Sequence, residues 1–109
     1  MLKFKIYQVD SSKEGADEIL FRRLRGIEDK KVSALLNKYK ELYDAEVEKF
    51  STSKKHTGIL EDLFRVFNVE RPDDFQGHSL SVSDIVKLYD GTVEEYWYCD
   101  SFGWYLLEG

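Results

Sequence analysis

A chain of 109 residues and 12.8 kDa has room for one domain and excludes a linker followed by a second core. Hydrophobic residues make up 42% of it, including 7 Phe, 7 Tyr and 2 Trp, enough for a cooperative core and too aromatic for intrinsic disorder. Sixteen Lys and Arg against 21 Asp and Glu leave a net charge of -5, which excludes a generally basic nucleic-acid-binding surface and leaves only a local one.

The first segment, residues 2–9, alternates Leu2, Phe4 and Ile6 with Lys3, Lys5 and Tyr7, the period of a half-buried strand. It has neither the uninterrupted apolar core of a signal peptide nor the ~18 apolar residues of a membrane span, so the expectation is a soluble, cytoplasmic protein. Residues 10–15 are turn formers. Residues 16–25 fit a short helix through Ile19, Leu20 and Leu24 or a short strand through Ile19 and Phe21.

From Asp29 to Phe50, the apolar residues Val32, Leu35, Leu36, Tyr39, Leu42 and Tyr43 recur at helical spacing. The half from Tyr39 to Val47 also alternates, which leaves open a break near Asn37 and a strand after it. Residues 51–56 are polar and aperiodic and read as an exposed, mobile loop. A helix follows over 58–68, capped by Thr57 or Gly58, with Ile59, Leu60, Leu63, Phe64 and Phe67 on one face and its end enforced by Pro72.

Ile85–Tyr89 and Thr92–Cys99 are rich in β-branched and aromatic residues and are separated by Asp90-Gly91, the signature of a two-residue type I′ hairpin. That turn sets Tyr89 opposite Thr92, Leu88 opposite Val93, Lys87 opposite Glu94 and Ile85 opposite Tyr96. Residues 100–103 break the strand, and Trp104 to Leu107 add a short last one. The fold class is α+β: one small domain over 1–109, a mainly antiparallel sheet with a C-terminal hairpin, packed against two to three helices.

The segment before the hairpin reads Gly77-His78-Ser79-Leu80-Ser81-Val82-Ser83-Asp84, and the segment after it Asp100-Ser101-Phe102-Gly103-Trp104. Together with Leu60-Glu61-Asp62-Leu63-Phe64, Phe67-Asn68, Arg71-Pro72-Asp73-Asp74-Phe75 and the opening Phe4-Lys5-Ile6-Tyr7-Gln8, in this order and spacing, they resemble the YodL-like domain. The resemblance implies a small domain of Gram-positive bacteria, repeatedly encoded on mobile elements and without an assigned activity. It also implies a strand over Tyr39 to Val47. Residues 16–55 are only loosely similar.

The octamer itself reads as a device of architecture. Gly77 permits a tight turn, Ser79, Ser81 and Ser83 hydrogen-bond local backbone, Leu80 and Val82 point to the core, and Asp84 or Ser83 receives stray N–H groups at the strand start. Asp100 and Ser101 do the same where the ladder breaks at Gly103.

Three functional readings compete. A hydrolase would pair Ser79 or Ser101 with His78 as base and Asp84 or Asp100 as orienter, but no Gly-x-Ser-x-Gly elbow is present and neighbours on an extended segment face opposite ways. Cys99, the single cysteine, lies in an aromatic strand and reads as a small buried residue. His56 and His78 lie 22 residues apart, which is no metal spacing, and no cofactor motif appears.

A nucleic-acid module with a PUA-like small barrel would use Arg22, Arg23, Arg25, Lys30, Lys31, Lys38 and Lys40. The leading reading is a non-enzymatic domain for an unidentified protein partner. It rests on the rings Tyr89, Tyr96, Trp97, Tyr98, Phe102, Trp104 and Tyr105, more than one small core takes.

Overall fold

The structure is a computed structural model that describes residues 1–27, 29–101 and 103–108. Its frame is one five-stranded antiparallel sheet of β1 (Lys3–Val9), β2 (Tyr39–Glu46), β3 (Ile85–Tyr89), β4 (Glu94–Asp100) and β5 (Gly103–Leu106), in the order β2-β1-β3-β4-β5. The α-helices are α1 (Val32–Leu35) and α2 (His56–Val69). This is the expected α+β class. The sheet is open, with β2 and β5 as its edges, so the small barrel of the nucleic-acid reading is not the architecture.

The alternation of β1 divides the core into two layers. Phe4 and Ile6 are fully buried and lie opposite Leu88 and Val86 of β3. Ile59, Leu60, Leu63, Val66 and Phe67 of α2 close over them. A helix of fourteen residues is marginal in water by itself. Burial of each large side chain against the sheet is worth about 1.5–3 kcal/mol and supplies what the helix lacks. On the opposite face, residues 16–38 cover one end of the sheet, where Val9, Ile19, Leu35, Tyr39, Ile85 and Tyr98 form the second core. Among the described residues, no helix is long and apolar enough to cross a membrane.

Several elements differ from the expectation. Residues 16–25 are neither helix nor strand: two 3-10 turns, Ala16–Glu18 and Leu24–Gly26, flank Phe21 at φ +59°. The helical pattern from Asp29 yields only α1 and a 3-10 turn at Leu36–Lys38 before β2 begins, because β1 offers Tyr39 to Glu46 an antiparallel partner, interrupted by one register shift between Ile6 and Tyr7. The break near Asn37 and the strand implied by the resemblance are both present.

Helix α2 starts at His56, earlier than expected, and its N-cap Lys55 makes no side-chain cap, so neither Thr57 nor Gly58 serves as one. Residues 51–55 form the expected loop, with Thr52, Lys54 and Lys55 exposed, and the buried Ser51 anchors its start by donating its hydroxyl to Asp62 Oδ2 at 2.6 Å. On α2, Val66 turns inward and Phe64 outward, where it meets Trp104 edge-on at 6.4 Å.

The hairpin register is shifted by two residues. Tyr89 faces Glu94, Lys87 faces Tyr96 and Ile85 faces Tyr98. Gly91 does not take a positive φ. Instead, Asp90 Oδ1 accepts the N–H groups of Thr92 and Val93, both at 2.7 Å, and the Thr92 hydroxyl, folding Asp90–Val93 into a four-residue turn. Lys87 still meets Glu94 at 3.5 Å, now on the diagonal.

Candidate interaction surface

The octamer closes a buried polar network whose centre lies outside it. Continuing the inward phase of β1 beyond Phe4 and Ile6 leads to Gln8, a polar residue only 1% exposed. Its two amide protons go to the His78 carbonyl at 2.8 Å and to Asp84 Oδ2 at 3.0 Å, while its Oε1 accepts the His78 N–H at 3.2 Å. Asp84 Oδ2 also accepts the Ser81 N–H at 2.9 Å, which is the strand-starting role foreseen for it. His78 Nδ1 lies 2.7 Å from the Ser79 carbonyl and 3.2 Å from Gln8 Nε2, and with both amide protons of Gln8 spent it donates to that carbonyl.

Gly77 is required for close approach and not for a turn conformation. A Cβ there would collide with Gln8 Oε1 and lie 2.7 Å from Leu42 Cδ1 and 2.9 Å from Phe75 Cζ. Two of these belong to packed rings and side chains that cannot give way together. Gly77→Ala is therefore expected to cost about 1–3 kcal/mol, read as a lowered denaturation midpoint. An unchanged midpoint would show that the network tolerates displacement.

Ser83 is held at φ +86° and is fully buried. Its N–H donates to Cys99 O at 3.0 Å, its carbonyl accepts the Tyr39 hydroxyl at 2.6 Å, and its Oγ accepts the Phe21 N–H at 3.0 Å. Backbone strain of this kind costs on the order of 1–3 kcal/mol and persists only where neighbours over-determine it. Here the strain is coupled. Ser83, itself in a left-handed conformation, holds Phe21 in another, and the Phe21 ring is 60% exposed beside the His78 ring at 6.1 Å. Between them opens a hollow of about 350 Å³ whose walls include Gln8, Leu20, Lys40 and Leu42.

The remaining octamer residues serve packing. Leu80 is buried as expected, Val82 is only half-buried, and the buried Ser81 hydroxyl has no hydrogen-bond partner among the described residues. The serine hydroxyls do not act on local backbone, because Asp84 does that for Ser81 and the Ser83 hydroxyl reaches across to Phe21. Of the groups a hydrolytic relay would pair, the His78 ring meets the backbone of Ser79, and Asp84 Oδ2 is engaged by Gln8 and Ser81.

Burial drives the Asp84 carboxyl upward, against the lowering effects of the Ser81 N–H, His78 and Gln8, to about 7. Burial likewise pushes the Cys99 thiol up to about 12, with Asp84 and Asp100 adding to the effect, which keeps it un-ionised and unsuited to nucleophilic work.

After the hairpin, Asp100 carries the structural load. It accepts the N–H of Leu24 at 3.0 Å, Arg23 Nε at 3.2 Å and the Ser101 N–H at 2.6 Å. Burial acts to raise its pKa, but these bonds outweigh it and hold the carboxyl below its ordinary range. Gly103 sits at φ +139°, a region that favours glycine.

Trp97 donates its indole N–H to Glu95 Oε1 at 3.1 Å, the same oxygen that holds His56 Nδ1 at 2.6 Å, so this ring ties β4 to the start of α2. Trp104 is half-buried against Phe64, and Phe102 lies outside the described residues. Of the other rings, Tyr98 is fully buried, Tyr89 and Tyr96 are half-buried and Tyr105 is 46% exposed. The octamer and the 100–104 segment thus meet at one place, the strap that carries Phe21. Gln8, Tyr39 and Phe21 are the participants that motif reading missed.

Among the described residues, no three His, Cys, Asp or Glu side chains are grouped to hold a metal ion. No curated protein and no solved structure matches the chain. A match to the YodL-like domain extends over residues 3–108, taking in the strands, both helices and the octamer network. The chain belongs to the YodL-like domain family.

Proposed function

We propose that this YodL-like domain is a non-enzymatic protein-binding module that presents Phe21, with His78 beside it, to a protein partner. Its context would be a mobile element of a Gram-positive bacterium, acting in the cytoplasm on a protein of the host or of the element. The observation that carries the reading is the exposed Phe21 ring on a strained backbone. A phenylalanine that is 60% exposed gains little for folding, and a left-handed conformation costs a non-glycine residue about 1–2 kcal/mol. Both are maintained by a buried network built from Gln8, Ser83 and Asp84. Exposed aromatic anchors beside a hollow are what protein interfaces use as energetic centres.

Phe21→Ala and Phe21→Gly test this in nuclease-treated lysate of a Gram-positive host. The wild type is expected to retain a discrete protein that both variants lose, while Phe64→Ala, on the α2 side, retains it. Stability is expected to change by no more than about 1 kcal/mol, most clearly in Phe21→Gly, because relief of the left-handed strain offsets the lost packing of the ring. Retention that ignores Phe21, or retention only of nuclease-sensitive material, would overturn the reading.

A further inference from the structure

The face of the sheet opposite α2 is covered by residues 16–38 only at the end where Tyr7, Ile85 and Tyr98 lie. At its other end, β1, β3 and β4 present a patch of interleaved lysines and tyrosines. Register sets Lys3 opposite Tyr89, Lys5 opposite Lys87 and Lys87 opposite Tyr96. Three ammonium groups converge on one ring: Lys3, Lys5 and Lys87 lie 5.7, 5.6 and 4.9 Å from the centroid of Tyr89, and Lys87 lies 5.3 Å from that of Tyr96. Like charges directly opposite on neighbouring strands destabilise a sheet, so Lys5 facing Lys87 needs compensation from around it.

The compensating acids come from the rim. Glu41 and Asp44 belong to the edge strand β2, and Glu94 starts β4 at the hairpin end. They reach Lys5, Lys3 and Lys87 at 3.0, 3.9 and 3.5 Å, and the Glu94 side chain is 64% exposed. Lys3–Asp44 is an exposed pair, worth about 0–1 kcal/mol, whereas the Lys5 and Lys87 side chains are only 24% and 15% exposed, so a phosphate reaches them by displacing Glu41 and the outward-lying Glu94.

We propose that this Lys3–Lys5–Lys87–Tyr89–Tyr96 face is a binding site for single-stranded nucleic acid, the tyrosines stacking bases and the lysines holding phosphates. From Lys3 to Tyr7 the strand runs about 13 Å and three strands span about 10 Å, room for about two nucleotides on an antiparallel sheet. The site is local, which reconciles it with a net charge of -5. It is also separate from the arginines of residues 22–25, of which Arg23 is engaged by Asp100. It lies at the end of β1 opposite Gln8 and the Phe21 hollow, so the two proposals stand or fall independently.

The test is fluorescence anisotropy with a labelled oligothymidylate of about a dozen nucleotides at about 20 mM salt. The wild type is expected to bind, with an affinity that falls as salt rises. Lys5→Gln with Lys87→Gln, which keeps the apolar stems, is expected to weaken binding about tenfold and to reduce the salt slope by about 0.7 per lost phosphate contact. Tyr89→Leu is expected to weaken it about tenfold with little change in slope. Phe21→Ala is expected to have no effect.

Backbone amide shifts of the wild type on titration provide a readout free of variants, and are expected on β1, β3 and β4. No binding, binding indifferent to these substitutions, or shifts confined to residues 16–38 would each overturn the proposal.

Discussion

Replacing Gln8 by leucine is expected to lower the unfolding free energy by roughly 3 kcal/mol, although a leucine fits the apolar phase of β1 better than an amide does. The leucine leaves the His78 N–H, the His78 carbonyl and one acceptor site of Asp84 without their partner. Each buried polar group so orphaned costs about 1–3 kcal/mol. Water reaches His78 and moderates the sum, whereas Asp84 is fully buried and finds no substitute donor. Against a typical domain stability of about 5–15 kcal/mol, this is a large fraction.

The loss should also be localised before it is global. Amide exchange at Phe21, whose N–H ends on Ser83 Oγ, is expected to accelerate more than exchange in α2. A denaturation midpoint within about 0.5 kcal/mol of wild type would show that Gln8 is a filler and that the octamer is organised by something else.

The parts of this fold that were legible in the sequence are those in which one side-chain period maps onto one buried face. The alternation in β1 and the stripe of α2 are of this kind, and an antiparallel sheet covered on one face by α2 follows from them. Periodicity failed where two periods coincide. Val32 to Tyr43 satisfies a helical spacing, yet pairing with β1 makes a strand of its second half.

The hairpin shows a different failure. Asp90-Gly91 is compatible with a two-residue turn, but a carboxylate that gathers three donors stabilises a longer one, and no pattern of apolar residues reports on that competition. The octamer was recognisable as a motif, while its role depended on Gln8, 70 residues away from His78 in sequence. One signal for Gln8 was present: a polar residue in the inward phase of a strand. Phe21 gave none, since a left-handed phenylalanine is set by the residues around it and not by its own preference.

Asp84→Asn is expected to remove a pH dependence that the wild type displays between about pH 4 and pH 7. Burial raises the Asp84 carboxyl from 3.8 to about 7 in the folded protein, so the folded state binds a proton that the unfolded chain has already released. Stability contributed by that proton is fully present below about pH 4, declines as pH rises, and is lost above the folded value near 7. At about 1.4 kcal/mol per unit, the decline reaches at most roughly 4 kcal/mol.

The other buried groups around Asp84 do not titrate in this range. Tyr39, Tyr98 and Cys99 are all shifted upward by burial and stay neutral across this range. His78 is the neighbouring group whose charge opposes the upward shift. The depressed carboxyls of Asp10, Asp90 and Asp100 lose stability on acidification, in the opposite sense, and cancel in the difference between wild type and variant.

The observable is therefore that difference, from urea denaturation at several pH values. Wild type is expected to fall relative to Asp84→Asn from pH 4 to pH 7 and to run parallel above it, whatever offset the amide introduces by placing an NH₂ where Oδ1 has no partner among the described residues. Curves that stay parallel throughout would mean that Asp84 folds ionised, with its charge stabilised by His78 and the Gln8 and Ser81 donors instead of being removed by a proton.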